Sequence, residues 1–384
     1  MNENKHAGIA RFDERDNVQA RYELIPGTEE WRTYYGDHPE KEKWDLEQKS
    51  LPGLMGIGHA ADVNALAVMA GAAAQFSAED AVDGPVSPNI ITMSSARAAL
   101  KIKGFARHLG ADTVGIGPLN QDNVYSHVGK VWHREKGLKR GDKIRLLHRN
   151  AVVLVKKLDF RIIRGAPKVQ VILETIRAYQ QLALISVTIA GYIRAIGYPA
   201  RAHNLMNYQV IIPPVAIEAG IGELGRHGIL ITREYGSAIK MAVVSTDLPM
   251  DHDAKPHLRV DDFCENCRIC AENCPSNAIN FGKKRMIRGV MRYPFNAEAC
   301  FRVWNATGSD CGVCIATCPW GKPPSLHHAL GLRLAQRGGK WPGIILSRLE
   351  RLMTGHHDPG AYRHPDWMEK QDTAWKTLNF MRKK

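Results

Sequence analysis

The chain has 384 residues, of which 44% are hydrophobic and 24% charged, a composition typical of a globular protein with a sizeable core. Its formal net charge of +13 would suit an anionic membrane face, a nucleic acid or an acidic protein, or simply a solvated surface. The longest apolar stretch, residues 182–193, is too short to span a bilayer, and the N-terminus shows neither an apolar signal region nor a twin arginine. These features favour a cytoplasmic location, unless a leader precedes residue 1.

The first regular elements predicted along the chain are two helices and a strand. Small residues predominate from 62 to 76, which predicts a helix able to pack closely against a flat partner. Ser94 or Ser95 is the predicted N-cap of a second helix that Gly110 closes. Residues 111–119 follow as a buried strand. The order indicates a helix-then-strand unit of an α/β domain.

The middle of the chain alternates strand and helix signals. Residues 151–163 are predicted as a strand and residues 170–196 as a long helix ended by Gly-Tyr-Pro. A short helix beginning near Pro213, a glycine-rich turn and two apolar strands follow. In the basic C-terminal tail, residues 344–353 have the spacing of an amphipathic helix that docks on the body.

All eight cysteines lie between residues 264 and 318, in two groups that each end in Cys-Pro. The first group has the spacing C-x₂-C-x₂-C-x₃-C-P of bacterial ferredoxins with two [4Fe–4S] clusters, in which the fourth cysteine of each motif binds the other cluster. The predicted ligands of one cluster are Cys264, Cys267, Cys270 and Cys318; those of the other are Cys274, Cys300, Cys311 and Cys314. The assignment of Cys300 is weaker, because ten residues separate it from Cys311.

The same cysteines allow one alternative, a zinc ribbon or a disulfide framework, because paired C-x₂-C elements also bind zinc. Neither needs the third and fourth cysteines or the Cys-Pro endings, so iron–sulfur clusters are favoured. No cysteine is left for a nucleophile elsewhere, and no flavin or nucleotide motif is present. We therefore predict a redox protein whose large remaining body uses a further cofactor.

Several segments together resemble the cobalamin-dependent reductive dehalogenases. They are ADTVGIG with VYSH, GYIRAIGYPA, AIEAGIGELGRHGILITREYG with VVSTDLPM, and the two cysteine motifs FCENCRICAENCP and DCGVCIATCPW. The similarity covers roughly residues 10–330. The resemblance implies an α+β protein in which a nitroreductase-like α/β domain encloses a corrinoid and precedes a ferredoxin domain with two [4Fe–4S] clusters.

The resemblance also implies a domain division. Residues 1–90 would form an N-terminal arm and helical unit, and residues 91–255 the corrinoid-binding domain. Residues 256–330 would form the ferredoxin domain, and residues 331–384 a tail packed on the body. The first 55 residues are polar and charge-rich, so we expect an arm wrapped on the core there rather than an independent domain.

The catalytic pair that the resemblance implies is a tyrosine proton donor beside a basic residue. By position in the motifs these are Tyr179 and Lys240. A lysine at this place is the variant of family members that act on halogenated phenols, whereas those that reduce chloroalkenes have arginine. By residue type alone, Tyr179 would more often be a core residue and Lys240 the solvent face of a strand.

Three further positions are candidates by the same resemblance. Asn204 lies near the family's active-site asparagine, with Asn207 as a competitor, and Arg302 or Trp304 would line the substrate pocket. The expected substrate is a small organohalide. The expected electron donor is a separate ferredoxin, flavodoxin or membrane-anchored protein. We expect no nucleic-acid partner, and a homodimer stays open.

Two other functions remain as alternatives. One is an epoxyqueuosine reductase, which is also a cobalamin enzyme with two clusters and would use the basic surface to bind tRNA. The other is a protein that handles corrinoid or relays electrons without catalysis. Tight tRNA binding that weakens steeply with salt would favour the epoxyqueuosine reductase. A clear Co(I) signal without organohalide turnover would favour the non-catalytic protein.

Overall fold

The computed structural model describes residues 10–57, 60–131, 137–205, 207–322, 326–337, 340–354, 357–358 and 367. In these residues the α-helices are α1 Val18–Glu23, α2 Glu29–Asp37, α3 Pro39–Lys49, α4 Ala60–Gln75, α5 Glu79–Val82, α6 Ser95–His108, α7 Phe160–Ile163, α8 Val169–Ala195, α9 Ile212–Glu218, α10 Val260–Cys267, α11 Ile269–Glu272, α12 Ala297–Thr307, α13 Val313–Ala316, α14 Leu326–Arg337 and α15 Lys340–Thr354. The strands are β1 Thr113–Pro118, β2 Asn150–Lys157, β3 Ala200–His203, β4 Gly222–Leu224, β5 Leu230–Thr232, β6 Ile239–Thr246, β7 Arg285–Ile287 and β8 Val290–Arg292.

A four-stranded antiparallel sheet forms the centre of the fold, in the order β1-β2-β6-β3. Successive residues of β2 point to opposite faces, and both faces are covered. Val152 and Leu154 pack with α6 and α8, whereas Val153 and Val155 pack on the other face with α9. Helices on both sides of an antiparallel sheet make this part of the chain an α+β structure.

Residues 151–163 are not a single strand as predicted. β2 ends at Lys157, and the short helix α7 follows. Asp159 ends the extended run because its Oδ1 accepts a hydrogen bond from the backbone N–H of Arg161 at 2.9 Å, which is an N-cap. The mainly apolar sequence from Phe160 to Ile163 is compatible with a strand. Only Asp159, as an N-cap residue, indicates that a helix begins here.

The long helix α8 organises the core, and its bounds agree with the predicted helix to within one residue. One side packs on the sheet, and α4 crosses it near its N-terminal half through Leu66, which contacts Ile172 and Leu173. The predicted helix from Ser94 is also present, and the Ser94 hydroxyl accepts from the Arg97 N–H. These helices fix the orientation of the α8 side chains that face β6.

The N-terminal segment is helical, which its polar composition did not indicate. Leu24, Trp31 and Tyr35 form a small core of their own. The segment is tied to the C-terminal half by Arg21, whose guanidinium binds both Asp45 and, at 2.6 Å, Glu298 of α12.

The cysteine-rich module, residues 260–322, packs beneath the end of the sheet and is covered on one side by α15. Arg351 of α15 bonds the carbonyl of Cys267 at 2.8 Å and pairs with Glu272. In the part of the chain that the structure describes, no helix has both the length and the apolar character needed to cross a bilayer.

Candidate functional site

Four of the cysteines surround one buried cavity. α10 and α11 supply Cys264, Cys267 and Cys270, and Cys318 reaches the same cavity from after α13. Arg268 lies between the two helices with φ 58°, which allows the sharp change of direction. The structure thus brings together the four predicted ligands of the first cluster, which we call the distal set.

The other four cysteines, Cys274, Cys300, Cys311 and Cys314, are also neighbours. The thiols of Cys300, Cys311 and Cys274 all raise the pKa of Cys314, which burial raises first. We call this group the proximal set, because Cys314 is also close enough to act on the charge of Lys240. Cys270 of the distal set packs with Cys274 and Cys314, so the two sets adjoin.

All eight thiols are free, and burial makes ionisation unfavourable for most of them. It raises the pKa of Cys264 to about 12 and that of Cys300 to about 12. Buried thiols of this kind become thiolates when a metal supplies compensating positive charge. Two buried groups of four thiols are a donor set that fits two [4Fe–4S] clusters.

Tyr179 and Lys240 meet between α8 and β6, as the resemblance implied. The Lys240 Nζ lies 5.2 Å from the centre of the Tyr179 ring. The Lys240 side chain is 17% exposed and Tyr179 is partly buried, so most of the surface of both side chains is covered. An ammonium in this position can stabilise a phenolate.

Asp310 completes this group, and the sequence reasoning missed it. Its Oδ2 lies 3.5 Å from the Lys240 Nζ and accepts a hydrogen bond of 2.6 Å from the Thr175 hydroxyl. Its buried Oδ1 has no hydrogen-bond partner among the described residues. Burial lowers the pKa of Lys240, but Tyr179 and Asp310 more than offset this, and the net pKa is raised. Lys240 is therefore a cation at neutral pH.

The only hint of Asp310 in the sequence was its place directly before Cys311. That place puts the Lys240 ion pair one residue away from the proximal set. The Lys240 ion pair and the proximal set therefore share one segment of backbone.

Asn204 and Asn207 form a hydrogen-bond network of their own, and Asn204 meets α8 at Ser186, two turns beyond Tyr179 on the same face of the helix. The Asn204 amide bonds the Phe76 carbonyl and the Ser186 hydroxyl, and its oxygen accepts from Ser77 at 2.7 Å. Asn207 bonds the Ser77 carbonyl and Arg201. Both side chains are fully buried and hold α4 and α5 to the core. Neither asparagine hydrogen-bonds Tyr179 or Lys240 in the described part of the chain, and the catalytic role of Asn204 stays a prediction.

Arg302 and Trp304 occupy different surroundings on α12. The Arg302 side chain is half exposed and faces Glu47 of the N-terminal arm at 3.8 Å. Trp304 packs with the residues around Cys311, and its side chain hydrogen-bonds Cys300, where it opposes the rise in the pKa of that thiol caused by burial. Trp304 is thus placed to bind a cluster ligand, whereas Arg302 lies on the outer face.

Exposed small residues on α4 offer a site for a large flat group. Leu66 and Ala73 are buried against α8, but Val68 is 73% exposed, and a Cβ added at Gly71 would meet nothing within 4 Å. In contrast, Gly222 is explained by its own hairpin, because a Cβ there would lie 2.1 Å from the Ile231 carbonyl oxygen. The small residues of α4 therefore have open space above them, whereas those of the glycine-rich turn are occupied by the fold itself.

Changing Cys300 to serine is expected to damage one cluster and spare the other. The hydroxyl is a poor ligand for iron, and no other thiol of the described structure is left unused near α12. Iron content should fall from about eight towards about four per chain, and one of two EPR signals should remain. Unchanged iron and two intact signals would show that Cys300 is not a ligand.

Comparison with known proteins agrees with this arrangement. Residues 263–322 match the family described as 4Fe-4S dicluster domain. The chain is 28% identical over 277 residues to a tetrachloroethene reductive dehalogenase of Desulfitobacterium hafniense. The aligned region covers 61% of this chain and 50% of that protein. An epoxyqueuosine reductase of Lactococcus garvieae (strain Lg2) is 28% identical over 124 residues, or 29% of this chain and 32% of that one. The chain spans about half the length of the dehalogenase relative.

Solved structures show the same fold. The catabolic reductive dehalogenase NpRdhA matches with a TM-score of 0.73 at 24% identity, over 91% of this chain and 47% of that one. It has also been solved in complex with 3-bromo-4-hydroxybenzoic acid. A second reductive dehalogenase structure, described as suggesting a mechanism for B12-dependent dehalogenation, matches with a TM-score of 0.68 at 26% identity, over 82% of this chain and 43% of that one.

Proposed function

We propose that the chain is an oxidoreductase of the reductive dehalogenase kind, which it resembles in sequence and fold, and that it replaces the halogen of a small organohalide with hydrogen. The reaction consumes two electrons and one proton and releases a halide ion. The observation that supports this most directly is the group of Tyr179, Lys240 and Asp310 beside the proximal set of cysteines. One segment thereby joins a proton source to an electron source.

Reductive dehalogenases use cobalamin and iron–sulfur clusters, and the eight cysteines fit two [4Fe–4S] clusters. When bound, cobalamin would supply the reduced cobalt centre that breaks the carbon–halogen bond. The open apolar face of α4 and the unpartnered, buried Oδ1 of Asp310 fit a large group in this region. The proposed domain is nitroreductase-like and comprises residues 91–255, with the ferredoxin domain at 256–330.

In this proposal Tyr179 donates the proton to the carbon that loses the halide. A phenol is a weak acid at neutral pH, so the phenolate left behind needs a nearby positive charge. Lys240 provides that charge, and Asp310 and Thr175 hold the ammonium in place. Partial burial of the pair keeps water from weakening this interaction.

The favoured substrate class is a halogenated phenol. A cationic Lys240 can attract the oxygen of a phenol. By the family resemblance, lysine at this position is the variant of members that act on halogenated phenols. The neighbouring electron route runs from the distal set to the proximal set, which adjoin at Cys270 and Cys274. A separate ferredoxin, flavodoxin or membrane-anchored protein would deliver the electrons. We further propose that the protein is located in the cytoplasm and can form a homodimer.

The test uses anaerobically prepared, fully loaded protein. We expect about eight iron and one cobalt per chain and release of halide from a brominated 4-hydroxybenzoate when a chemical reductant is supplied. Protein that contains both cofactors but releases no halide from halophenols or chloroalkenes would contradict the function. Salt-sensitive binding of tRNA in a filter assay would instead favour the epoxyqueuosine reductase alternative, to which residues of this chain are also similar.

A further inference from the structure

His227 has a tautomer that its surroundings determine. The ring is buried, and its Nδ1 accepts a hydrogen bond of 3.1 Å from the backbone N–H of Ile229. A nitrogen that accepts has no proton, so in the neutral ring the proton is on Nε2. That Nε2–H is buried and has no hydrogen-bond partner among the described residues. It is therefore a donor without an acceptor.

Gly225 leaves room for the His227 ring. A Cβ at this residue would lie 2.7 Å from Cε1 of the imidazole, which is closer than side-chain atoms approach one another. The ring consequently occupies the space that a side chain at position 225 would need. The buried imidazole therefore depends on the absence of a side chain at position 225.

Trp320 is a second donor of the same kind. The side chain is 3% exposed and its ring packs edge-on against Phe263, with the ring centres 5.9 Å apart. Its Nε1–H is also buried and has no hydrogen-bond partner in the described part of the chain. An indole nitrogen can only donate, so this group too lacks an acceptor.

Both donors line the cavity of the distal set. The cavity is bounded by the four thiols of Cys264, Cys267, Cys270 and Cys318 and by the side chains of His227 and Trp320. Buried N–H groups in native proteins almost always have a partner. The group that would occupy this cavity offers sulfur atoms as acceptors, and hydrogen bonds to those sulfurs are one of the controls on cluster potential.

Arg226 adds a positive charge to the same wall. The guanidinium is 1% exposed, and it donates to the carbonyls of Cys264, Asn280 and Gly282. It also stacks on Tyr293, with 4.0 Å between Cζ and the ring centre. These acceptors are neutral carbonyls, so the guanidinium keeps its charge beside the cavity, where it opposes the rise in the pKa of Cys264 caused by burial.

We propose that His227 Nε2–H and Trp320 Nε1–H donate hydrogen bonds to sulfur atoms of the distal cluster and, with Arg226, raise its reduction potential above the value it would otherwise have. The distal cluster takes up one electron from an external reductant, without forming a bond or moving a proton. This adds a negative charge to the cavity, which donors and a cation stabilise. The proposal assigns these residues to tuning the electron supply of the proposed dehalogenase, on whose two-cluster assignment it rests.

The test is a redox titration of the loaded, full-length protein with dithionite and mediators, followed by EPR. His227→Phe and Trp320→Phe each remove one donor and keep an aromatic ring in place. Each is expected to shift the midpoint potential of one cluster downwards and to leave the other unchanged, and the double variant should shift it further. The matched control is Trp31→Phe, which removes an indole donor bonded to Glu42 in the N-terminal arm and should move neither potential.

Iron content and the two parent EPR signals are measured first, so a failure of the two-cluster assignment is seen separately from a failure of the tuning. The proposal is overturned if both variants retain about eight iron and neither midpoint moves, if the midpoint moves upwards, or if both clusters shift equally. Should His227→Phe not fold, Trp320→Phe decides the question alone, because it deletes one N–H and leaves the packing against Phe263.

Discussion

Replacing Tyr179 with phenylalanine should slow dehalogenation by about 10²- to 10⁴-fold, the usual contribution of a positioned general acid. The variant lacks only the hydroxyl, and the ring can still pack on α8 beside Lys240. Folding, iron content and cobalt content should therefore be unchanged. Turnover is measured as halide release from a halophenol by protein whose metal content has been verified.

Tyr192→Phe is the matched control for this experiment. Tyr192 lies on the same helix and is also partly buried, but it packs against Phe105 rather than Lys240. Its loss should leave turnover close to the parent value. If Tyr179→Phe with full metal content works at the parental rate, the proton comes from another group and Tyr179 is a packing residue.

Removing the charge of Lys240 should cost a factor similar to the loss of Tyr179. Methionine is an unbranched side chain of similar length to lysine but has no ammonium group. In Lys240→Met the positive charge that stabilises the phenolate after proton transfer is therefore lost. Because the two residues act as a unit, Tyr179→Phe combined with Lys240→Met should be little slower than either single variant. A combined loss equal to the product of the single losses would mean that the two act independently.

Asp310 complicates this variant, because the substitution leaves a buried carboxylate without its cation. Breaking a buried ion pair from one side typically destabilises a protein by about 3–5 kcal/mol, so unfolding must be measured together with turnover. Thr175→Val provides the control. It removes the other donor to Asp310 but leaves Lys240 in place. A loss of stability with preserved turnover in that variant separates the two effects.

The elements that local sequence specifies were predicted correctly. A serine N-cap and a closing glycine predict the helix Ser95–His108, and a long, mainly apolar segment ended by Gly-Tyr-Pro predicts α8. The cysteine spacing predicted which thiols would be neighbours, because four ligands of one cluster must converge wherever the chain leads them. Each of these signals lies within a short window or depends on one chemical requirement.

Features that depend on contacts between distant segments were missed. Asp310 meets Thr175 across 135 positions and Lys240 across 70, and nothing near any of the three residues indicates the pairing. Asn204 was selected by its position in a motif, and its hydrogen bonds to Ser77 and Ser186 could not be predicted, because both partners are distant in sequence. The α7 helix was missed for a different reason. Its apolar residues are compatible with a strand or a helix, and only the N-cap Asp159 indicates the helix.

The double attachment of Arg21 has a consequence for how the protein is assembled. Its guanidinium binds Asp45 of the arm and Glu298, which precedes Cys300 by two residues on α12. The arm therefore acts as a strap over the helix that supplies a proximal ligand. An arm held in this way is expected to resist movements of α12 that would expose Cys300 to oxygen or a chelator, so residues 10–50 would protect the proximal cluster from a distance through Arg21.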